Sequence, residues 1–387
     1  MSAVARSAAN RYDVAFYMPE AGPLLTDNPV PPAGGAETQI VLLAGALAQT
    51  GLRVCICTCD LPGATIASTF RGVDVLIRPP YRGGRGFVFA IREAFTLARA
   101  VRLPADVIVT RVAGPHVGIV GLVTKVRRRR FVFSAANVSD FLRTARSRRT
   151  RDWLLYRLGL ILADAIVVQT EEQARLCRSE FHRPALVVRS IATAAGAVFA
   201  NPRAFLWVGR IVPYKRPLEF LKLARACPEA EFWMIAVPQG GEDVLGRQVL
   251  AGAIELRNLK LLEPRPREKL LELYPEVVAV VNTSEFEGMP NVSLEGWAYG
   301  VPTLSLSYDP DDVIERHGLG VCAEGSMGDL VDAARRCWES RKARGFAEQC
   351  LAYLRSHHSA DAVISEWLAV LDFAPNEHDR VEKASLV

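Results

Sequence analysis

Two glutamates in the segment Ser284–Pro302 are placed to bind a ligand from two sides. A helix is predicted to begin near Asn291, so Glu287 lies in the loop ahead of it and Glu295 lies about one turn inside it, roughly 5 Å along the axis. The N–H groups and the dipole at a helix N-terminus attract anions. Each carboxylate could then accept hydrogen bonds from hydroxyl groups on its own side of the anion. The alternative is a solvated loop acid and an exposed helix residue, which the apolar neighbours in the helix disfavour.

Two cations follow a predicted strand, Ala204–Val208, in the same half of the chain. Arg210 and Lys215 come after this strand and ahead of a helix that begins near Pro217. Ligands of parallel α/β sheets bind at the carboxyl ends of the strands, so both cations would face a ligand there. A departing nucleoside diphosphate is multiply charged, and without a metal it needs Arg and Lys as partners. The alternative is a pair of solvated loop cations.

A pair of glycines, Gly34 and Gly35, lies between the first predicted strand and the first predicted helix. Glycines allow a tight turn that brings backbone N–H groups close to a ligand, and the following helix would direct its positive end to the same place. The alternative is an ordinary turn. In that case Glu37 is a first-turn carboxylate that favours the helix dipole.

Short β-branched runs alternate with segments of helical periodicity along the chain. The strand runs are apolar throughout, which is typical of parallel strands covered on both faces. The pattern pauses at Ser190–Pro202, which is rich in small residues, and then restarts. We therefore predict an α/β protein with two Rossmann-like, doubly wound domains that face each other across a cleft. The predicted strands are Tyr12–Met18, Arg53–Thr58, Val73–Arg78, Asp106–Thr110, Phe131–Ser134, Ala165–Val168, Ala185–Val188, Ala204–Val208, Glu231–Ala236, Asn258–Leu262, Val277–Val281, Val301–Ser305 and Gly320–Cys322.

The expected domains cover residues 1–195 and 196–359, followed by a segment 360–387. No strand follows the helical pattern Ala360–Leu371, so this helix would cap the second domain or cross back onto the first. The crevice between the domains is the expected ligand site. The other predicted helices are Glu37–Gln49, Val88–Val101, Pro217–Ala226, Glu242–Leu256, Arg267–Leu273, Val292–Tyr299 and Gly328–Arg341.

The composition is that of a globular protein, with 50% hydrophobic and 23% charged residues. The eight cysteines form no CxxC pair and have no zinc spacing, so we expect reduced, mostly buried thiols in a cytoplasmic protein. We also expect no secretory leader and no membrane-spanning segment, because no apolar run is long enough.

A strongly basic segment, residues 125–151, stands out against a formal net charge of only +5 for the whole chain. It holds ten Lys and Arg residues and one acid, Asp140. Together with the aromatic and leucine residues that follow, these cations suit peripheral contact with anionic lipid heads, at about 1 kcal/mol per cation near the surface. The alternative is a solvated loop leading into a core helix. Nucleic acid is disfavoured, because no aromatic residues interleave with the charge and no nucleic-acid module is present.

The motifs resemble those of the retaining GT-B glycosyltransferases of family 4. The GGAE turn, the VGR-x4-K segment that ends at Lys215 and the E-x7-E segment that ends at Glu295 occur in the family's order, each at a strand–helix junction. The resemblance covers residues 12–372. It implies a glycosyltransferase that moves a sugar from a nucleotide-diphosphate sugar to a saccharide or lipid-linked acceptor, with retention at the anomeric carbon. It also implies no metal and no other cofactor.

The resemblance implies roles for the charged residues of the VGR-x4-K and E-x7-E segments. Arg210 and Lys215 would hold the diphosphate and stabilise its departure. Glu287 would bind the donor sugar, with the backbone of Gly288 and Met289 alongside.

The remaining roles follow from the same resemblance. Glu295 would bind the ribose hydroxyls, and residues Leu262–Arg265 would flank the base. Gly34, Gly35 and Glu37 would shape the first-domain side of the substrate site.

The sequence departs from the family in its first half, where many relatives place a histidine after a central strand. Here the corresponding strands lead into Thr110–Val112 and Ser134–Asp140, and neither segment has one. His116 follows only at the start of a predicted helix. Asn137 and Asp140 are the candidates for the missing polar contact. Asp140 could stabilise positive charge developing on the sugar, or it could N-cap the next helix.

An aspartate cluster, Asp309-Pro310-Asp311-Asp312, contains a D-x-D pattern that binds Mn²⁺ in another glycosyltransferase fold. Here it follows a strand and opens a helix, where Asp is a common cap residue. We therefore predict helix caps and no metal site.

The missing histidine also supports a second hypothesis for the function. The chain could be a catalytically inactive, nucleotide-sugar-binding subunit of a polysaccharide-assembly complex. An oxidoreductase is disfavoured, because no G-x-G-x-x-G follows a strand.

Overall fold

The computed structural model describes residues 11–26, 34–61, 63–78, 95, 98, 102–142, 150–196, 201–238, 244–342 and 345–372. Within them the chain forms two α/β domains, each built on its own, largely parallel sheet. The α/β class and the two doubly wound sheets are as predicted. The predicted helix Val88–Val101 lies almost wholly outside the described residues.

The first domain has a sheet of eight strands in the described residues, in the order β3-β4-β2-β1-β5-β6-β7-β8. All pairs are parallel except β3 and β4. Strand β3 has two residues, too few for a periodicity, and no strand was predicted there. The strands are β1 Tyr12–Tyr17, β2 Val54–Cys59, β3 Thr69–Phe70, β4 Val73–Arg78, β5 Ala105–Arg111, β6 Arg130–Ser134, β7 Ala165–Val168 and β8 Leu186–Val187; the helices are α1 Gly35–Gln49, α2 His116–Val126, α3 Thr150–Leu162 and α4 Glu171–Phe181.

The second domain has a six-stranded, fully parallel sheet in the described residues, in the order β11-β10-β9-β12-β13-β14. The strands are β9 Ala204–Arg210, β10 Glu231–Val237, β11 Leu259–Leu261, β12 Val277–Asn282, β13 Thr303–Ser305 and β14 Gly320–Cys322. The helices are α5 Pro217–Ala226, α6 Val244–Ile254, α7 Arg267–Leu271, α8 Asn291–Ala298, α9 Val313–Arg316, α10 Met327–Glu339 and α11 Ala347–His357. No bounds were predicted for α2, α3, α4, α9 and α11, and the boundaries of the other helices differ from the predicted ones by no more than a few residues.

Both strand orders reverse direction at one point, which fixes where a ligand can lie. In the first sheet the reversal falls between β1 and β5, and in the second between β9 and β12. The connections leave these neighbouring strands toward opposite faces, so a crevice opens at their carboxyl ends. The motifs that contain Arg210 and Glu287 follow β9 and β12. The motif that contains Gly34 and Gly35 lies immediately before α1 and does not follow β1 directly.

The helix α12, Ala360–Leu371, crosses back onto the first domain. Its Val363, Trp367 and Leu371 side chains are buried in the same core as Phe16 and Leu47 of the first domain. Burying a side chain of this size stabilises a fold by about 1.5–3 kcal/mol. Of the two positions that the sequence left open for this helix, the structure therefore selects the crossing.

Two segments of chain run between the domains, and they touch each other. The Ala192 N–H donates to the carbonyl of His358 at 3.0 Å, and the Ser190 carbonyl lies 2.7 Å from Nδ1 of the same histidine. Burial lowers the pKa of His358 to about 4, so its ring is neutral near pH 7. The two crossings therefore form one buried junction.

The eight cysteines all lie within the described residues, and none forms a disulfide. Six of them are buried. In the described part of the chain, every helix is too short or too polar to cross a lipid bilayer.

Helices α2 and α3 pack at glycines. A Cβ on Gly118 would lie 2.1 Å from the Leu155 carbonyl oxygen, and a Cβ on Gly159 would lie 2.6 Å from the Val117 carbonyl carbon. Real Cβ atoms do not approach backbone this closely, so both positions need glycine. The two helices can therefore lie side by side over the sheet.

We expect Gly159→Ala to destabilise the protein by about 1–3 kcal/mol, because the added methyl group meets backbone that cannot move alone. The midpoint of denaturant unfolding measures this. Gly345→Ala is the matched control, because nothing lies within 4 Å of its added Cβ. Equal midpoints for the two variants would contradict the close helix contact.

Candidate active site

Arg210, Lys215 and Glu287 lie at the switch point of the second sheet, which is the place between β9 and β12 where the strand order reverses. Strand β9 ends at Arg210, and a 3-10 turn, Pro213–Lys215, follows it. The neighbouring strand β12 ends at Asn282 and leads into the loop that holds Glu287. Two adjacent strands thus deliver one basic and one acidic segment to the same edge.

Lys215 and Glu287 form a tight ion pair between Nζ and Oε1. The same carboxylate oxygen accepts a hydrogen bond from the Ser284 hydroxyl at 2.7 Å. The Thr283 hydroxyl donates to the Lys215 carbonyl at 2.6 Å, which ties the turn to the loop. The Glu287 side chain is buried, so its charge depends on these partners.

Arg210 is exposed beside this pair. Its Nη2 donates a long hydrogen bond to the Tyr214 hydroxyl at 3.4 Å. The Tyr214 ring stacks on Phe286, with centroids 4.9 Å apart and planes 13° apart. Sequence reasoning missed this aromatic pair, which holds the basic turn against the acidic loop. The guanidinium remains accessible to an anion.

Glu295 lies inside the second domain, one turn into α8. Its Oε1 accepts from Nε of Arg267 at 2.7 Å, and its Oε2 accepts from the Tyr274 hydroxyl at 3.0 Å. Burial raises the pKa of Glu295, and the Arg267 guanidinium acts against that rise. The structure therefore joins Glu295 to the start of α7 rather than to the pair of Lys215 and Glu287. The predicted base-flanking segment, Leu262–Arg265, directly precedes α7.

The glycine pair of the first domain approaches the second domain closely. Helix α1 begins at Gly35, with Gly34 as its N-cap residue. The Gly35 carbonyl accepts from Nδ2 of Asn291, the first residue of α8, at 2.8 Å, and Oδ1 of Asn291 accepts from Gln39 at 3.0 Å. A Cβ on Gly35 would lie 2.5 Å from Nδ2 of Asn291. The turn thus packs against the second domain with no room for a side chain at Gly35.

A Cβ on Gly34 would lie 2.5 Å from Oε2 of Glu37, so this glycine makes room for the first-turn acid. Glu37 is buried, and burial raises the pKa of its carboxyl group. The nearby Glu20 raises that pKa further, whereas the positive charges of Arg210 and Arg111 lower it. Glu37 therefore faces cations of both domains.

The loop after β6 contacts Glu287 from the first domain. The Val138 N–H donates to the Glu287 carbonyl at 3.0 Å, and Nδ2 of Asn137 lies 3.5 Å from Glu287 Oε2. Asn137 also caps the 3-10 turn Val138–Asp140, because its Oδ1 accepts from the Ser139 N–H. Glu287 is consequently held by residues of both domains.

Asp140 is fully buried within that loop. Its Oδ2 accepts from the backbone N–H groups of Ala136, at 2.7 Å, and Asn137, at 3.1 Å. Within this 3-10 turn Asn137 is the N-cap, and Asp140 closes the capping box from the third position, so Asp140 contributes to a cap without being the N-cap residue. A loop that must turn within three residues needs both side chains to satisfy its N–H groups.

Gly288 meets the first domain with no space for a side chain. Its Cβ would lie 2.7 Å from the Ala136 carbonyl oxygen and 2.3 Å from the amide of Gln169. The Met289 side chain packs in a core of the second domain with Leu294 and Trp297. The Met289 side chain is therefore not available to a ligand.

Arg111 is a buried cation under the cleft that sequence reasoning named only as the end of a strand. Its Nη1 donates to the Ser134 hydroxyl at 2.8 Å, and its Nη2 lies 2.9 Å from the amide oxygen of Gln169 in the orientation that satisfies that amide. Burial lowers the pKa of Arg111 to about 10, while the charges of Asp140 and Glu37 act in the opposite direction. It thus remains charged at neutral pH. The only signal in the sequence is a single Arg after an apolar strand.

The aspartate cluster caps two helices, one in each domain. The Asp309 carboxylate accepts from the backbone N–H groups of Ile314 and Glu315, at the start of α9. The Asp311 carboxylate accepts from the Glu171 and Glu172 N–H groups, at 2.9 and 3.1 Å, in the first turn of α4. The predicted capping role is therefore confirmed, and for Asp311 it acts between the domains.

Family models match most of the chain. The model described as a glycosyl transferase 4-like domain matches residues 34–192, and the model described as glycosyl transferases group 1 matches residues 191–349. The order of the two matches follows the two domains described above.

Curated relatives match only in part. A D-inositol 3-phosphate glycosyltransferase of Mycolicibacterium vanbaalenii is 28% identical over 201 residues, which is 44% of this chain and 42% of that enzyme. An enzyme of the same name from Mycobacterium sp. strain KMS is 31% identical over 147 residues, which is 36% of this chain and 33% of that enzyme. The chain thus aligns with less than half the length of these relatives.

Solved structures match over nearly the whole length. Sucrose-phosphate synthase from Thermosynechococcus elongatus superposes with a TM-score of 0.72 at 16% identity, over 93% of this chain and 98% of that one. A UDP-forming α,α-trehalose-phosphate synthase from Burkholderia vietnamiensis gives a TM-score of 0.66 at 12% identity, over 93% and 99%. The fold is therefore GT-B, with two Rossmann-like domains facing across a cleft. The chain belongs to the family 4 glycosyltransferases of this fold.

We expect Glu37→Gln to stabilise the protein, and the gain to grow as the pH rises. Below about pH 4.3 both the folded and the unfolded states carry the proton, so removing the charge changes little. Above it the unfolded state ionises freely, while burial opposes ionisation in the folded state. Unfolding midpoints at pH 5 and pH 8 test this, with the exposed Glu348→Gln as control. A gain that shrinks toward pH 8 would contradict the raised pKa.

We expect Asp311→Ala to destabilise the contact between the two domains by about 0.5–2 kcal/mol, because two N–H groups of α4 lose their acceptor. Asp312→Ala is the matched control, because both aspartates have positive φ and only Asp311 caps α4. Small-angle scattering should report a larger radius of gyration for Asp311→Ala alone. The same radius in both variants would remove the interdomain role of this cap.

Proposed function

We propose that the protein is a glycosyltransferase that moves a sugar from a nucleotide-diphosphate sugar to a saccharide or lipid-linked acceptor, with retention at the anomeric carbon and without a metal. The observation that carries this proposal is the position of Lys215 and Glu287, paired at the switch point of the second sheet with Arg210 exposed beside them. A cation for the diphosphate and an acid for the sugar thus lie next to each other.

The diphosphate would bind to Arg210 and Lys215. The exposed guanidinium offers a planar set of donors that suits phosphate oxygens, and the ammonium adds a point charge. Lys215 would then divide its donors between the diphosphate and Glu287. As the bond between the sugar and the diphosphate breaks, negative charge grows on the departing phosphate. Two cations beside the phosphate would stabilise this charge more than they stabilise the intact donor.

The sugar would bind at Glu287 and the ribose at Glu295. The Glu287 carboxylate is already fixed by Lys215 and Ser284, so its orientation costs little on binding. Arg267 and Tyr274 each donate one hydrogen bond to Glu295. Because a carboxylate has about four lone-pair sites, acceptor capacity remains for two hydroxyl groups. The base would then lie against Leu262–Arg265.

The first domain would bring the acceptor to the sugar. Asn137 contacts Glu287 at 3.5 Å, so its amide is within reach of a sugar bound there. Glu37 lies in the electrostatic range of Arg210, and its carboxylate is a candidate for stabilising positive charge on the sugar. Asp140 is less available for this role, because one of its oxygens already accepts from two backbone N–H groups. The first domain thus offers polar groups beside Glu287 although the expected histidine is missing.

A metal has no part in this proposal. The carboxylates of the D-x-D pattern cap helices through Asp309 and Asp311, and the two cations supply the positive charge. Turnover should therefore persist when EDTA is added. An inactive nucleotide-sugar-binding subunit is not favoured, because the family model that matches the second domain and the curated relatives are those of glycosyltransferases.

We expect Arg210→Ala and Lys215→Ala each to lower kcat/KM by about 10²–10³-fold, because each removes charge stabilisation of the leaving group. The measurement is release of nucleoside diphosphate with a panel of nucleotide sugars and acceptors. Lys222→Ala is the control, because this exposed lysine lies on α5 and pairs with Glu219 at the surface. Full activity of both site variants would refute the roles of these cations. Nucleotide binding by calorimetry without release in any acceptor mixture would instead identify the inactive subunit.

A further inference from the structure

Helix α3 has an apolar outer face. Leu154 and Ile161 are each 57% exposed, and Leu158 is 37% exposed. Their spacing of four and three residues places them in one stripe along the helix. The inner face of the same helix is also apolar, because Tyr156 and Leu160 are buried against the sheet. A surface helix of a globular domain normally has a polar outer side, so this stripe is unusual.

Helix α2 extends the stripe sideways. Leu122 is 50% exposed and Val126 is 75% exposed, one turn apart on its outer side. The close contacts at Gly118 and Gly159 bring the two helices together. The five outward residues therefore form one continuous surface, which we name the α2–α3 face. Its members are Leu122, Val126, Leu154, Leu158 and Ile161.

Cations surround the α2–α3 face. Arg151 and Arg157 are exposed on α3, and Arg127 and Arg128 are exposed just after α2. Among the described residues of these two helices and the turns that end them, the acids are Asp152 and Asp164. Asp152 pairs with Arg151, and Asp164 pairs with Lys125. The face thus combines exposed apolar side chains with a net positive rim.

We propose that the α2–α3 face docks on a lipid bilayer that contains anionic phospholipids. The leucine and isoleucine side chains would enter the boundary between headgroups and acyl chains, and the guanidinium groups would bind lipid phosphates. A second copy of this chain is a poorer occupant, because two positive rims would then face each other. Arg143–Arg149 of the basic segment lie outside the described residues, so the surface defined here rests on the two helices alone.

The docking would bring the protein to a membrane independently of its reaction. It requires neither donor nor acceptor, so a vesicle assay reports on it even if the proposed activity is absent. The reverse also holds, because none of the residues of the α2–α3 face belongs to the candidate active site.

The test is co-sedimentation of the full chain with vesicles of phosphatidylcholine, with and without phosphatidylglycerol. We expect binding to the anionic vesicles that weakens as salt is added, and little binding to the neutral ones. Leu154→Glu/Ile161→Glu should weaken binding roughly tenfold or more, because two side chains that enter the lipid become charged. Arg127→Gln/Arg157→Gln should weaken it by about fivefold for each cation removed.

Leu250→Glu/Ile254→Glu on α6 is the matched control. These side chains are 52% and 76% exposed, four residues apart, in the second domain. This variant should bind vesicles as the unchanged protein does, and thermal unfolding should show that all three variants remain folded.

Three outcomes would overturn the proposal. They are no binding of the unchanged protein to anionic vesicles, equal loss in the α6 control, and equal binding to neutral vesicles. A dimer in light scattering that Leu154→Glu/Ile161→Glu converts to a monomer, without vesicle binding, would assign the face to a second copy instead.

Discussion

The structure depends on one ion pair, between the half-buried Lys215 and the buried Glu287. Glu287 is the residue on which three parts of the molecule converge: the turn after β9, the loop after β12 and the loop after β6 of the other domain. A buried carboxylate without partners would be strongly unfavourable, so the pair and the two loops are stable only together. Glu287 contacts the first domain through Asn137 and Val138, and Arg210 is exposed to solvent.

Much of the fold could be read from the sequence, because parallel strands buried on both faces appear as short apolar runs. Val73–Arg78 and Ala165–Val168 have the predicted boundaries, whereas β3 is too short to leave a pattern. The motifs at the switch points were also accessible, since Arg210, Lys215 and Glu287 each stand next to a strand end. They could be predicted because charged residues follow apolar strands there and precede helices.

The contacts between the domains could not be predicted in the same way. Asp311 reads as a cap for the helix that follows it, but it caps α4, which is 140 residues away in the sequence. Arg111 appears in the sequence only as the end of a strand, and nothing there indicates that it is buried. Asp140 looked like an N-cap, and the neighbouring Asn137 has that position instead. Local periodicity and propensity contain no information on which residues a second domain will cover.

The paired crossings near Ala192 and His358 limit how the cleft can open. Because the chain passes between the domains twice, and the two passages are hydrogen-bonded to each other, the domains cannot simply move apart. A rotation of one domain against the other about this junction keeps these hydrogen bonds in place. Movement in such a rotation is smallest at the junction and largest at the opposite rim of the cleft.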